Sequence, residues 1–323
     1  TAESLNDVAQ LAFLRGDVKR AESLYLKSLE IHRSNPKGNK LAVAETASHL
    51  GWMYSQLNRF KDAESYLSEA LEIRKQMLGA QHFRVAKTLY MLSDVYLFQG
   101  KLKPAEKTIL ETLDIQRAIL EPGHRRIGVS LVTLGALRRQ QGRVKASEAR
   151  LREAIALLKS AVGADNLDVG LALYELALTM EQANQHEQVA AYLLQALPIY
   201  EKAYGLDHRH VAIVLNNLGS SLGEKLGRGA EAVPYLHRAV RIFDSQASPE
   251  AFWQALARWT LANVLRDEGR HAEAKAAYLE ALSLMEMSGG GRAENPDLVA
   301  LKADFARLTP AATSSSGAVI REE

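Results

Sequence analysis

Between residues 43 and 79 the apolar positions fall at spacings of three and four. The first set is Ala47, Leu50, Gly51 and Tyr54; the second is Ala63, Tyr66, Leu67, Ala70, Leu71 and Ile73. Such spacing places each set on one face of a helix. The stretch therefore predicts two amphipathic helices joined by a turn at Leu57-Asn58-Arg59-Phe60. Small residues, Gly51 and Ala63 among them, allow the two backbones to approach while large neighbours fill the gaps. One such hairpin cannot bury its apolar faces alone.

The chain meets this need by repetition. His82, His124 and His208 are separated by 42 and 84 residues, and Asn166 fills the missing step. Gly79, Gly163 and Gly205 keep the same frame, as do the turn residues Gly16, Asn58, Gly100, Gly142 and Asn184. Ala21, Ala63 and Ala105 follow it, and so do Leu29, Leu71, Leu113, Ile155 and Leu197. Near residue 224 the frame slips by one, then resumes with Gly227 and Gly269 and with Ala232 and Ala274. A fixed period of this size predicts a solenoid of stacked helical units.

With those residues in place, the chain resembles a tetratricopeptide array of the longer-period, kinesin-light-chain type. The pattern reads Leu50-Gly51-Tyr54-Ala63-Ala70-Leu71, Leu92-Ser93-Tyr96-Ala105, Leu218-Gly219-Ala232-Ala239 and Leu261-Ala262-Ala274-Ala281-Leu282. The linker Leu78-Gly79-Ala80-Gln81-His82 and the pair Asn216-Asn217 resemble the same variety. Departures are Arg138, Met180 and Leu222 in place of the first-helix aromatic, and Val189 in place of the second-helix Ala. The resemblance covers about residues 3 to 287. It implies an all-α fold, a right-handed α-solenoid of about seven helix-turn-helix hairpins. A family that binds many unrelated partners does not by itself assign a function.

Taken in order, the hairpins are expected at about 2–33, 41–79, 82–120, 124–162, 166–204, 208–246 and 250–287. Residues 1–287 then form the solenoid, 295–308 a capping helix with Leu298, Leu301, Phe305 and Leu308 on one face, and 309–323 a flexible tail. The segment 33–40 reads as a polar loop broken by Pro36 and Gly38, and Ser288 to Arg292 as a glycine-rich one. Pro104 and Pro234 are expected in the first turns of second helices, where a missing N–H costs little. Pro198, inside a helical run, predicts a kink or an early helix end.

Composition narrows the classes of function. With 40 basic and 38 acidic residues the chain carries a net charge of +2, so no polyelectrolyte role follows. The lack of cysteine removes disulfides, thiolate metal sites and cysteine nucleophiles. No apolar run is long enough to cross a bilayer. No signal peptide is visible, which favours the cytoplasm. The chain begins at Thr1 rather than Met, so export, for instance to a periplasm, stays open.

The resemblance places first helices on an inner, concave wall; the period alone does not decide which helix lines it. First-helix positions pointing away from the hairpin core are then the candidate peptide-binding groove. They are Trp52, Tyr90, Asp94, Phe98, Arg139, Tyr174, Gln182, Asn216, Asn217, Trp259 and Asn263. The aromatic rings would serve as anchors and the amides would bond a peptide backbone. The alternative for any one ring is packing between neighbouring first helices.

Other features weigh less. A basic zone runs from Arg125 through Arg138, Arg139, Arg143, Lys145, Arg150 and Arg152 to Lys159, answered locally by Glu148 and Glu153. It would steer an acidic partner, although charge runs are more often solvated faces. Its residues fall on several faces without a nucleic-acid motif, so no nucleic acid is expected. The periodic histidines are too far apart to share a metal and are expected to act locally at helix starts. No phosphate loop, G-x-S-x-G or H-E-x-x-H is present. Glu22 and Glu64 read as exposed helix surface. Neither catalytic residues nor a cofactor nor a metal is expected. The sequence reads as a non-enzymatic adaptor binding a peptide segment of a protein partner. A self-associating scaffold, and a sensory or regulatory part of a larger assembly, are the alternatives.

Overall fold

In the computed structural model, which describes residues 2–34, 39–246, 250–288 and 295–308, five first helices start on a side-chain cap. Helices α3 (Lys40–Gln56), α5 (Phe83–Phe98), α7 (Arg125–Gln140), α9 (Leu167–Gln182) and α11 (Arg209–Ser220) follow Asn39, His82, His124, Asn166 and His208. Each capping residue is extended, and its side chain accepts the backbone N–H two residues on, at 2.9 to 3.2 Å. An orphan donor of the first turn is thereby satisfied. For the histidines the acceptor is Nδ1, which requires a neutral ring protonated at Nε2. The periodic histidines are thus helix caps.

The second helices are α2 (Val18–Ser34), α4 (Phe60–Leu78), α6 (Leu102–Ile119), α8 (Val144–Val162), α10 (His186–Tyr204) and α12 (Gly229–Asp244). Helix α1 (Ala2–Leu14) opens the chain, α13 (Ala251–Asp267) and α14 (His271–Ser288) form a further hairpin, and α15 (Pro296–Leu308) follows. The described residues contain these fifteen α-helices and no strand. They form two compact units, Thr1–Ala164 and Asp165–Glu323.

Within each hairpin the turn residue adopts positive φ: Gly16, Gly100, Gly142, Gly227 and Gly269 at 65° to 82°, and Asn58 and Asn184 at 57° and 55°. Asparagine tolerates this left-handed conformation where most L-residues do not. The helices then close on glycine. A Cβ on Gly51, Gly135 or Gly219 would lie 2.5, 2.5 or 2.4 Å from the Cγ of Leu67, Leu151 or Leu236. These leucines, all fully buried, occupy the space a side chain would need.

Successive hairpins are joined at their turn edges by periodic ion pairs. Glu22 meets Arg59 at 2.8 Å, Glu64 meets Lys101 at 2.6 Å and Glu106 meets Arg143 at 3.7 Å. In the second unit Glu187 meets Arg228 at 3.5 Å. Glu22 and Glu64 are therefore partly buried inter-hairpin acids, not the free surface their periodicity suggested. Each such pair contributes about 0–1 kcal/mol.

Two sequence expectations change, and the frame slip gains a structural form. The one-residue slip near 224 is absorbed as a π-helical turn, Ser221–Lys225, in which Leu226 N donates to Ser221 O at 3.1 Å. An inserted residue is accommodated in this way without breaking the helix. Helix α10 runs through Pro198 to Tyr204, so the early end does not occur. The ring is exposed, and so is Leu194, whose carbonyl loses its helical donor to the proline. Pro234 lies in the second turn of α12, which starts at Gly229, while Pro104 is in the first turn of α6. The expected loop residues 35–38 and 289–292 and the tail 309–323 lie outside the described residues.

Candidate functional site

Within the first unit, α1 touches α3, α3 touches α5 and α5 touches α7; in the second, α11 touches α13. Among the described residues, second helices of successive hairpins make no comparable contact. The first helices are thus the closely spaced row of the first unit, α11 and α13 stand as close in the second, and residues pointing off these helices line a shared wall within each unit.

In the first unit, Trp52 is partly buried and its ring meets Phe13 of α1 edge-on, with centroids 5.3 Å apart and planes at 75°. Ser48, one turn earlier on the same face of α3, is only 4% exposed, and its hydroxyl has no hydrogen-bond partner. Tyr90 and Asp94 stand one turn apart on α5, and Thr133 of α7 completes the cluster. The Thr133 hydroxyl donates to Asp94 Oδ1 at 3.2 Å and lies 3.5 Å from the Tyr90 hydroxyl. Burial pushes the Asp94 carboxyl up to about 7, against hydrogen bonds from Tyr90 and Thr133 that pull it down. A Thr on a buried helix face carries no sequence signal of this role.

Phe98 is placed apart from this cluster. Phe98, 71% exposed, stacks on Phe60 at 5.6 Å with planes 7° apart. Phe60 opens α4, so Phe98 belongs to the turn edge and not beside Tyr90. Arg139 is partly buried in the last turn of α7.

In the second unit, Asn217 donates to the Tyr174 hydroxyl at 2.9 Å, and Tyr174 leans on Tyr200 with centroids 6.1 Å apart. Asn216 is 7% exposed and its side-chain carbonyl has no partner. Gln182 is exposed at the end of α9. Asn263 is held in a network: it donates to Glu224 at 2.6 Å and accepts from Tyr278 at 2.6 Å. The π-turn carries Glu224, which also accepts from Ser220. The Trp259 indole donates to Asp304 of α15 at 2.9 Å. Trp259 is therefore occupied by the chain itself. Sequence reading missed Phe13, Thr133, Glu224, Tyr278 and Asp304 as partners, since each comes from another helix.

The basic zone is neutralised in part. Glu106, from the preceding hairpin, accepts from Arg138 and Gln141, and these bonds hold its carboxyl below the usual range. Arg152 pairs with Glu148 at 2.9 Å and Arg150 with Glu153 at 2.6 Å. Among the described residues no group of three or more His, Cys, Asp or Glu could hold a metal ion. No described helix is long and apolar enough to cross a membrane.

Helical hairpins repeated at a fixed period and packed glycine against leucine define an all-α helical-repeat protein. The tetratricopeptide repeat family model matches residues 1–76, 63–118, 84–160, 126–202 and 210–287, and the chain belongs to that family. Repeats of this kind generally mediate protein–protein interactions and are typically non-enzymatic. No curated protein sequence matches the chain.

Among solved structures, the chain is similar to BtubC (BKLC) from P. vanneervenii, with TM-score 0.62 and 18% identity over 73% of this chain and 94% of that one. It is also similar to a putative kinesin light chain from Podospora anserina, with TM-score 0.55 and 18% identity over 66% and 99%. A Rap protein complexed with competence and sporulation factor aligns with TM-score 0.64 and 13% identity over 95% and 86%. At these identities the likeness concerns the fold.

Proposed function

We propose that the first-helix wall binds an extended or helical peptide segment of a partner protein. The observation that carries this reading is the Trp52–Tyr90–Asp94 face. There, successive first helices keep rings and a carboxylate partly open to solvent, where packing alone would favour aliphatic closure. Aromatic anchors in concave sites are common hot spots, and extended or helical segments are the usual ligands of such faces. The similar Rap protein is described in complex with a factor, which agrees with this reading.

The test is affinity capture from the source cell's lysate with the parent chain and a Trp52→Ala/Tyr90→Ala/Tyr174→Ala variant whose helical fold has been verified. A partner retained by the parent alone supports the wall as the site. Equal capture by both moves the site elsewhere.

A second reading rests on α1. Val8, Leu11 and Leu14 are 42%, 56% and 67% exposed. Residues one period after Val8 and Leu11, Leu50 and Met53, are both fully buried. An apolar row of this kind favours self-association. Sedimentation that changes with concentration in the parent, and not in a Leu11→Glu variant, would support it.

A further inference from the structure

The partly buried acids of the first unit are matched by cations with one exception. Glu22 faces Arg59, Glu45 faces Arg74, Glu64 faces Lys101, Glu106 faces Arg138 and Glu111 faces Lys75. Asp94 has only the hydroxyls of Thr133 and Tyr90 as donors, and no Lys, Arg or His pairs with it among the described residues. A desolvated carboxylate with neutral donors alone is incompletely compensated. Glu224 of the second unit also has no cation paired with it among the described residues, but both of its oxygens are taken, by Asn263 and Ser220.

Asp94 also stands where a ligand would pass. It occupies on α5 the position that Trp52 occupies on α3, 42 residues earlier, and those two helices touch. The corresponding residue on α7, Ala136, is buried and small. The wall therefore offers a carboxylate between an aromatic ring on one side and a methyl group on the other. A carboxylate beside an aromatic face suits an organic cation, which gains from the ion pair and from the ring quadrupole.

We propose that Asp94 receives a lysine or arginine side chain of the bound peptide, with Tyr90 and Thr133 holding the carboxylate and Trp52 flanking the cation. This rests on the groove reading above. It makes the first unit selective for a segment carrying a positive charge at one fixed place.

The test uses twelve-residue random peptides displayed on phage and selected on the full chain. The tightest binders are then synthesised and titrated against the parent, Trp52→Ala and Asp94→Asn. Binders are expected to share one Lys or Arg. Its replacement by citrulline or glutamine should weaken binding to the parent at least tenfold and leave binding to Asp94→Asn unchanged. Asp94→Asn keeps the side-chain shape, and its melting curve is recorded beside the parent's to separate recognition from folding. Binders that depend on Trp52 yet carry no shared cation, or that bind Asp94→Asn as tightly as the parent, overturn the proposal and leave the groove reading standing. Failure to select any peptide that depends on Trp52 overturns both.

Discussion

Thr133, on the first helix of the fourth hairpin, donates its hydroxyl to Asp94, on the first helix of the third, at 3.2 Å. The bond joins two adjacent hairpins through their first helices and fixes a carboxylate where solvent reaches it only in part. Its consequences are measurable.

The carboxyl of Asp94 is pushed up to about 7 from an ordinary value of 3.8, chiefly by burial, and the groups bearing on it, Tyr90 and Thr133, are uncharged donors. A raised folded-state pKa means that the folded chain holds the proton more tightly than the unfolded chain. The associated stability is complete below the unfolded value of 3.8 and is lost as pH rises through about 7. Asp94→Asn never ionises. It should melt with the parent at about pH 4 and a few degrees above it at about pH 8. Calorimetry across that range checks this, and parallel melting at both ends would contradict it.

The histidine caps predict a graded series. His82 accepts the N–H of Arg84 at 3.0 Å. His82→Asn should preserve the cap, as Asn166 does one frame further on at 3.0 Å. His82→Ala should cost about 1 kcal/mol. Chemical denaturation of the two variants beside the parent gives the comparison. Equal loss in both would mean that the ring acts by packing.

Helix contact predicts a reversible clash. A methyl group at position 135 would lie 2.5 Å from Leu151 Cγ. Gly135→Ala should therefore destabilise by about 1–3 kcal/mol. Leu151→Ala loses core volume at a cost of about 2–5 kcal/mol. The double variant should lose well less than the sum of the two losses, because the added methyl occupies space the leucine left. Additive losses would show that the two residues do not meet.

The π-turn predicts tolerance to a deletion at one place. Removing Gly223 returns the frame to its period and lets Ser221–Lys225 become ordinary α-helix. That variant should retain cooperative melting. Removal of Leu134, buried in the middle of α7, shifts every later side chain around the helix and should abolish it. Loss of cooperativity in both would assign the π-turn a structural role of its own.

Much of the fold was legible because repetition multiplies weak signals. One histidine before a helix says little, but His82, His124 and His208 in frame with Asn166 specify a cap. Asn58 and Asn184 share the turn frame with glycines because both residue types accept the left-handed conformation. The wall was legible only as a register. Position along a helix indicated which side chains leave the hairpin core, and it could not indicate which neighbour receives them. Phe98 stacks on Phe60, the Trp259 indole is bonded by Asp304, and Asn263 is held by Glu224 and Tyr278. Those partners come from other helices, and in the case of Glu224 from a local change of helix type. The periodic acids misled for the same reason, since Arg59 and Lys101 reach them from the next turn edge.

The most direct test of the wall as a peptide site is a titration of phage-selected peptide against the parent and against Trp52→Ala, Tyr90→Ala and Tyr174→Ala, with thermal melting of each. Affinity should fall at least tenfold in one or more variants, while melting stays cooperative and within a few degrees of the parent. Unchanged affinity in all three, or loss of cooperative melting wherever affinity falls, would contradict it and return these rings to the core.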